Sequence, residues 1–258
     1  MTATVRCERR GPIALVTLDR PDRRNGVTGA MCEALHETVR EIAASDARVL
    51  VLRGAGENFC VGADIAAPAG EATRPAPPDA AIYHASTLLH TMPQVTIAAI
   101  DGGCAGAGMG WALACDLRFG TPRARFSTAF LAVGVSGDMG LAWSLERIVG
   151  GARARELLFF PDRFGGEEAH RLGLLTRLFA PEALHSETLA LAEALADRDP
   201  LALRLTKANC LSAETLSIGA YVDVETARHL QTTGRPEFAR LMREGHERRR
   251  KDPASESR

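Results

Sequence analysis

One acid, Asp138, stands among apolar and small residues in the stretch FLAVGVSGDMG at residues 130–140. Its carboxyl group fits two roles. A helical pattern follows it, and Asp is a preferred N-cap residue. Burial beside Phe130, Met139 and Trp143 would instead raise its pKa and suit it to general base catalysis. The residues alone leave both roles open.

Two glycine-rich stretches allow a substrate to approach the main chain closely, NFCVGADI at 58–65 and GGCAGAGMG at 102–110. The second stretch does not match the dinucleotide-binding pattern GxGxxG, because Trp111 stands where the third glycine is needed. Likewise, GVSGD at 134–138 misses the serine hydrolase pattern GxSxG, since Asp138 replaces the second glycine. Tight turns and close helix contacts are the structural alternative for both stretches.

Together the two stretches resemble the signature segments of the enoyl-CoA hydratase/isomerase, or crotonase, superfamily. The resemblance runs along nearly the whole chain and includes the order and spacing of the segments. It implies an α/β crotonase fold, a spiral of ββα units at residues 1–195 followed by a helical C-terminal trimerisation region at 196–258. The other matching segments are LDRPDRRNGVTGAM at 18–31, ARFST at 124–128, RAREL at 153–157 and EEAHRLGLLTRLF at 167–179.

The resemblance also implies acyl-CoA thioester substrates whose carbonyl oxygen is bound by two backbone N–H groups. These fall on Ala63 and Ala107, and Ala107 opens a predicted helix. Two fixed donors and a helix dipole stabilise the negative charge of an enolate, and one such donor contributes about 3 kcal/mol. Coenzyme A enters as part of the substrate, so we expect no separate cofactor. The histidines form no metal-binding motif, and we expect no metal.

The catalytic pattern departs from that of the family's hydratases. Two glutamates hold and activate water in those enzymes, and the corresponding positions here are Gly110 and Phe130, neither of which can transfer a proton. Asp138 falls where the resemblance places a catalytic aspartate in isomerases of dienoyl-CoA and of ring-epoxide phenylacetyl-CoA derivatives. This favours double-bond isomerisation with Asp138 as the acid/base. The alternatives are a hydratase with a second acid such as Glu71 or Asp79, and a non-catalytic acyl-CoA-binding protein.

A related aryl-CoA dehalogenase uses an aspartate at the same position and a histidine from a preceding helix, and His84 lies close to that place. A core or surface role is the alternative for this histidine. The resemblance also assigns a set of residues to substrate binding, through the backbone near the CoA or beside the acyl group. This set comprises Arg23, Arg24, Val61, Asp64, Ile65 and Phe130.

The elements that must position these residues alternate between strand and helix. Met31, Leu35, Val39 and Ile42 are spaced by three and four residues and predict one buried helical face. Short apolar runs such as RVLVLRG and QVTIAAI predict buried strands, and this alternation favours a parallel sheet with helices on both faces. After residue 140 the pattern is almost entirely helical. The Pro- and Ala-rich segment 66–80 predicts a mobile surface loop.

Composition limits the remaining possibilities. The chain has 258 residues, 46% of them hydrophobic, and a formal net charge of −1, which argues against nucleic acid and polybasic membrane binding. Six cysteines without a CxxC pair predict neither disulfides nor a zinc site. No run reaches the roughly 18 apolar residues of a membrane span. We therefore expect a cytoplasmic protein with no nucleic acid or membrane partner. The family resemblance implies a homotrimer or a dimer of trimers.

Overall fold

The computed structural model describes residues 4–64 and 80–251. Ile65, Glu71, Asp79 and most of the predicted surface loop lie outside these residues. The chain divides into two compact units between Arg198 and Asp199. The strands of the first unit are β1 (Val5–Arg10), β2 (Ile13–Leu18), β3 (Val49–Gly54), β4 (Val95–Ile100), β5 (Gly103–Ala105), β6 (Leu117–Gly120), β7 (Arg125–Ser127), β8 (Phe164–Gly165) and β9 (Arg177–Leu178).

The strands form two sheets. The larger sheet has the order β1-β2-β3-β4-β6-β9 and is parallel except for the opening β1–β2 hairpin. The smaller one has the order β5-β7-β8, with β5 parallel and β8 antiparallel to β7. The predicted parallel core is therefore confirmed.

Helices cover both faces of the larger sheet. Because side chains alternate along a strand, Leu50 and Leu52 of β3 enter one hydrophobic cluster while Val49 and Val51 enter the other. The second cluster contains Leu184, the first residue of α7. The helices of this unit are α1 (Gly29–Ala43), α2 (Ala85–Thr91), α3 (Ala107–Ala114), α4 (Leu141–Val149), α5 (Gly151–Phe159), α6 (Gly166–Arg171) and α7 (Leu184–Ala196).

Helix α1 follows the sequence pattern. Its N-cap is Thr28, whose side chain accepts a hydrogen bond from the Met31 N–H at 3.3 Å. The four predicted apolar positions, Met31, Leu35, Val39 and Ile42, are all buried. Their spacing therefore gave the correct face of the helix.

A single β-bridge joins the two glycine-rich stretches. Cys60 pairs with Cys104 in parallel, since its N–H donates to Gly103 at 3.0 Å and its carbonyl accepts from Ala105 at 2.9 Å. A Cβ on Gly108 would lie 2.5 Å from the Cys60 carbonyl oxygen and 2.6 Å from its sulfur. Helix α3 therefore needs glycine at 108 to pack against Cys60.

The second unit contains helices α8 (Pro200–Ala213), α9 (Ile218–Thr233) and α10 (Pro236–Lys251). Asp199 caps α8 by accepting from the Ala202 N–H at 2.9 Å, and it pairs with Arg235 at 3.0 Å. No strand occurs in the described residues beyond 198, so the predicted helical C-terminal region is confirmed.

Substitution Gly108→Ala will destabilise the first unit by about 1–3 kcal/mol, because the new methyl group overlaps the Cys60 main chain and sulfur. Urea unfolding measures this change. Gly29→Ala is the matched control, since no atom of the described residues lies within 4 Å of a Cβ at the start of α1. Equal stability of the two variants would contradict the tight contact at Gly108.

Candidate active site

Two backbone N–H groups from distant parts of the chain lie in adjacent segments. Ala63 follows Cys60 by three residues, and Ala107 follows Cys104 by three, so the parallel Cys60–Cys104 bridge brings both segments forward together. Ala107 is the first residue of α3, where helix N–H groups have no intrahelical acceptor. In residues 4–64 and 80–251, neither the Ala63 nor the Ala107 N–H donates a hydrogen bond.

The two backbone segments that carry these amides approach each other closely. Gly62 (φ +89°) and Gly106 (φ +49°) adopt conformations that side chains rarely permit. A Cβ on Gly62 would lie 3.1 Å from the Ala105 carbonyl oxygen, and a Cβ on Gly106 would lie 3.7 Å from the Gly62 Cα. Val27 holds the other edge, since its N–H donates to Gly62 and its carbonyl accepts from Asp64. These contacts fix the Ala63 main chain on both sides.

Phe130 connects this region to the candidate acid. A Cβ on Gly106 would lie 3.7 Å from Cε1 of the Phe130 ring, and one on Gly137 would lie 3.8 Å from its Cδ2. The ring therefore lies between the start of α3 and the residue before Asp138. It presents an apolar surface beside both.

The carboxyl group of Asp138 is partly buried. Its Oδ1 atom is buried and has no hydrogen-bond partner among the described residues. Burial raises its pKa above the ordinary value of 3.8. Burial first, and then the charge of Asp138, raise the pKa of the Cys32 thiol to about 11. The acid therefore lies near Cys32 of α1, a neighbour that the sequence did not indicate, because Cys32 belongs to the apolar pattern of that helix.

The helix-cap alternative for Asp138 is wrong. Helix α4 begins at Leu141, its N-cap is Gly140, and no described side chain makes a capping hydrogen bond. Only the main-chain carbonyl of Asp138 contributes, by accepting from the Leu141 N–H at 3.1 Å. The carboxyl group itself therefore makes no capping contact with α4.

A groove of about 1040 Å³ opens beside the Ala63 main chain. Its lining includes Arg24, Val61, Ala63 and Ala105. It therefore reaches two of the residues expected to bind substrate and one of the two expected amides. Among the described residues, no group of three or more His, Cys, Asp or Glu side chains is placed to hold a metal ion.

The other expected substrate-binding residues have different surroundings. Arg23 lies on an exposed 3-10 turn at Pro21–Arg23. The side chain of Asp64 is 6% exposed and pairs with Arg20 at 2.8 Å, an ion pair that ties the end of the first glycine-rich stretch to the turn before it. His84 is exposed and bonds through Nδ1 to the Thr87 hydroxyl at 3.1 Å. Ile65 lies outside the described residues.

The family model described as Enoyl-CoA hydratase/isomerase matches residues 8–252. The chain belongs to this family. One relative is the 1,2-epoxyphenylacetyl-CoA isomerase of Escherichia coli, 32% identical over 83% of this chain and 84% of that protein. Another is a probable enoyl-CoA hydratase of Mycobacterium tuberculosis, 33% identical over 88% of this chain and 91% of that protein. The chain is therefore an enzyme of the hydratase/isomerase type.

A solved structure supports the same conclusion about the fold. A putative enoyl-CoA hydratase from Thermobifida fusca in complex with acetoacetyl-CoA superposes with a TM-score of 0.82, at 28% identity over 90% of this chain and 95% of that chain. The crotonase fold expected from the sequence is confirmed.

In this hydratase/isomerase family member, Gly110 occupies the first position at which the resemblance expects a hydratase glutamate. A Cβ there would lie 2.6 Å from the Met139 Cβ and 3.1 Å from its carbonyl oxygen. Met139 itself has a φ of +50°, which is costly for a residue with a side chain. The absence of a side chain at 110 therefore permits the turn that carries Asp138 to approach α3.

Substitution Asp138→Asn will raise the melting temperature of this family member at neutral pH. A raised pKa means that the folded state binds the Asp138 proton more tightly than the unfolded state, so this stabilisation is lost as pH rises from 3.8 through the folded pKa. A neutral amide avoids that loss, and the advantage of the variant should disappear at low pH. Thermal unfolding from pH 3 to pH 8 measures it.

Asp46→Asn is the control for this pH series, because Asp46 lies on an exposed turn and pairs with Arg9 at 3.0 Å. A pH-independent difference between wild type and the Asp138 variant would show that burial does not raise the pKa of this carboxyl group.

Proposed function

We propose that the chain isomerises a double bond in an acyl-CoA thioester through an enolate. Two observations on residues 4–64 and 80–251 carry the proposal together. The buried Oδ1 of Asp138 has no hydrogen-bond partner there, and two adjacent segments each present an N–H group without an acceptor, on Ala63 and Ala107. Such donors stabilise an enolate oxygen, and such an acid moves the proton. Phe130 separates the two parts of the site with an apolar ring.

An acyl-CoA is the proposed substrate class because the groove and the comparison agree. Arg24 and Val61 line the groove together with Ala63, so a thioester bound there reaches the first amide. A structural relative holds acetoacetyl-CoA. The carbonyl of such a ligand supplies the oxygen that the Ala63 and Ala107 amides require.

The reaction needs one base and no added water. Asp138, as carboxylate, removes a proton from the carbon next to the thioester carbonyl, and the electrons of that C–H bond move into an enolate whose oxygen the two amides bind. The enolate oxygen then returns its electron pair to re-form the thioester carbonyl, and the double bond forms between the α and β carbons. The γ carbon, which is the far carbon of the original double bond, takes the proton back from Asp138. Substrate and product have the same composition, and the enzyme returns to its starting state.

Hydration is disfavoured by the residues around Asp138. It requires groups that hold and activate a water molecule, and Gly110 and Phe130 provide none. Enlarging residue 110 would force Met139 away and displace the Asp138 turn. The isomerase relative is consistent with this choice, whereas the hydratase relative leaves hydration as the outcome to test against.

Incubation of a 3-enoyl-CoA ester with the enzyme in heavy water, followed by NMR, will yield the 2-enoyl isomer with deuterium at the carbons that exchange protons. The rate for Asp138→Asn will fall by about 10²- to 10⁴-fold, the usual contribution of general acid–base catalysis. Acyl-CoA binding, measured by calorimetry, will persist in the variant because the amides and groove are unchanged.

Asp46→Asn again serves as the matched control and will keep the wild-type rate. Formation of 3-hydroxyacyl-CoA at a rate unaffected by Asp138→Asn would show a hydratase and overturn the proposal. Tight acyl-CoA binding without turnover of any enoyl ester would instead show a non-catalytic binding protein.

We propose a homotrimer or dimer of trimers, and a cytoplasmic location. In the described part of the chain, every helix is too short or too polar to span a bilayer. Sedimentation of the purified protein tests the trimer directly.

A further inference from the structure

A second cavity lies on the opposite face of the large sheet from the proposed active site. The active-site residues Cys60 and Ala107 belong to the hydrophobic cluster on one face, whereas Leu15 and Val51 at this cavity belong to the other. Its volume is about 210 Å³. The lining consists of Arg10, Leu15, Val51, Arg53, His185, Ser186, Thr188 and Leu189.

Strand register brings two guanidinium groups to this face. Arg53 pairs with Thr17 across β2 and β3, and its Nε donates to the Thr17 hydroxyl at 3.1 Å. In residues 4–64 and 80–251 its terminal nitrogens make no hydrogen bond. Arg10 comes from the edge strand β1, where its Nε donates to Glu8 at 2.8 Å. Glu8 offsets one of the two positive charges.

Helix α7 supplies donors from the other side. His185 and Ser186 lie in its first turn, and in the described part of the chain their N–H groups have no acceptor. The positive end of a helix dipole attracts anions at this place. Thr188 contributes to the cavity wall and is 1% exposed, and its buried hydroxyl has no hydrogen-bond partner among the described residues.

Electrostatics around the cavity favour an added negative charge. Burial and then the charge of Arg53 lower the pKa of His185. Burial and then the charge of Arg10 lower the pKa of Arg53. Burial is the larger cause in both cases, and Asp101 acts on His185 and Glu8 on Arg53 in the opposite sense. The smaller repulsion from the neighbouring guanidinium groups is what a bound anion would reduce.

We propose that this cavity binds a phosphate group, either as inorganic phosphate or as part of a small phosphomonoester. Arg53 offers a planar pair of donors that matches phosphate oxygens. The first turn of α7 and the Thr188 hydroxyl provide donors from a different direction, which suits a tetrahedral dianion. The apolar floor of Leu15 and Val51 and the volume of about 210 Å³ limit the ligand to a small molecule.

Calorimetric titration of the full-length protein with inorganic phosphate tests this site, in a buffer free of other oxyanions. Saturable binding of one phosphate per chain is expected. Arg53→Gln and Thr188→Val will each weaken it, the first by at least about ten-fold, because charge-assisted hydrogen bonds are lost. Glycerol 1-phosphate is titrated in parallel. Tighter binding of this ester than of inorganic phosphate would identify a phosphomonoester as the ligand, and weaker binding would identify inorganic phosphate.

Arg9→Gln is the matched control for an Arg10→Gln variant. Arg9 is the adjacent residue of the same strand, its side chain points to the other face, and it pairs with Asp46. Arg10→Gln should weaken phosphate binding while Arg9→Gln leaves it unchanged. Absence of saturable binding, or binding that is insensitive to both Arg53→Gln and Thr188→Val in folded protein, would overturn the proposal.

Discussion

The parallel contact between Cys60 and Cys104 is the constraint on which the proposed chemistry depends. It makes two loops run in the same direction. Ala63 and Ala107, which follow the two cysteines by three residues each, therefore lie in adjacent segments. Gly62, Gly106 and Gly108 keep the loops close enough for this arrangement. The proposed oxygen-binding half of the site therefore consists entirely of main chain. It requires that the three glycines carry no side chain.

The position of the candidate acid depends on the lack of a side chain at residue 110. Gly110 lets Met139 press against α3, and this places Asp138 where burial raises its pKa. Oδ1 has no hydrogen-bond partner in the part of the chain that the structure describes. An uncompensated buried oxygen lowers stability, because folding removes it from water without replacing its hydrogen bonds. Such a cost is expected where a carboxyl group must be ready to take up a proton.

Periodicity predicted the local elements well because burial on one side of an element leaves a regular pattern. The apolar face of α1 and the buried β3 strand are examples. Ala63 and Ala107 could be singled out only through the resemblance of whole segments, since single glycine motifs gave no match. The role of Asp138 could not be decided from the residues, because the capping position depends on where α4 begins. Arg53 and Thr188 are more than a hundred positions apart in sequence, and nothing short of the folded sheet brings them together.

The contact between Gly110 and Met139 also means that residue 110 and the turn at 138–139 must change together if this fold is to carry a different reaction. A larger residue at 110 fits only after the turn at 138–139 has shifted, and that shift removes the carboxylate from its place. A sequence carrying either change alone would lose the proposed isomerisation without acquiring hydration. The two activities are thus separated by an unproductive intermediate, and conversion between them demands coordinated substitutions in α3 and in the turn it contacts.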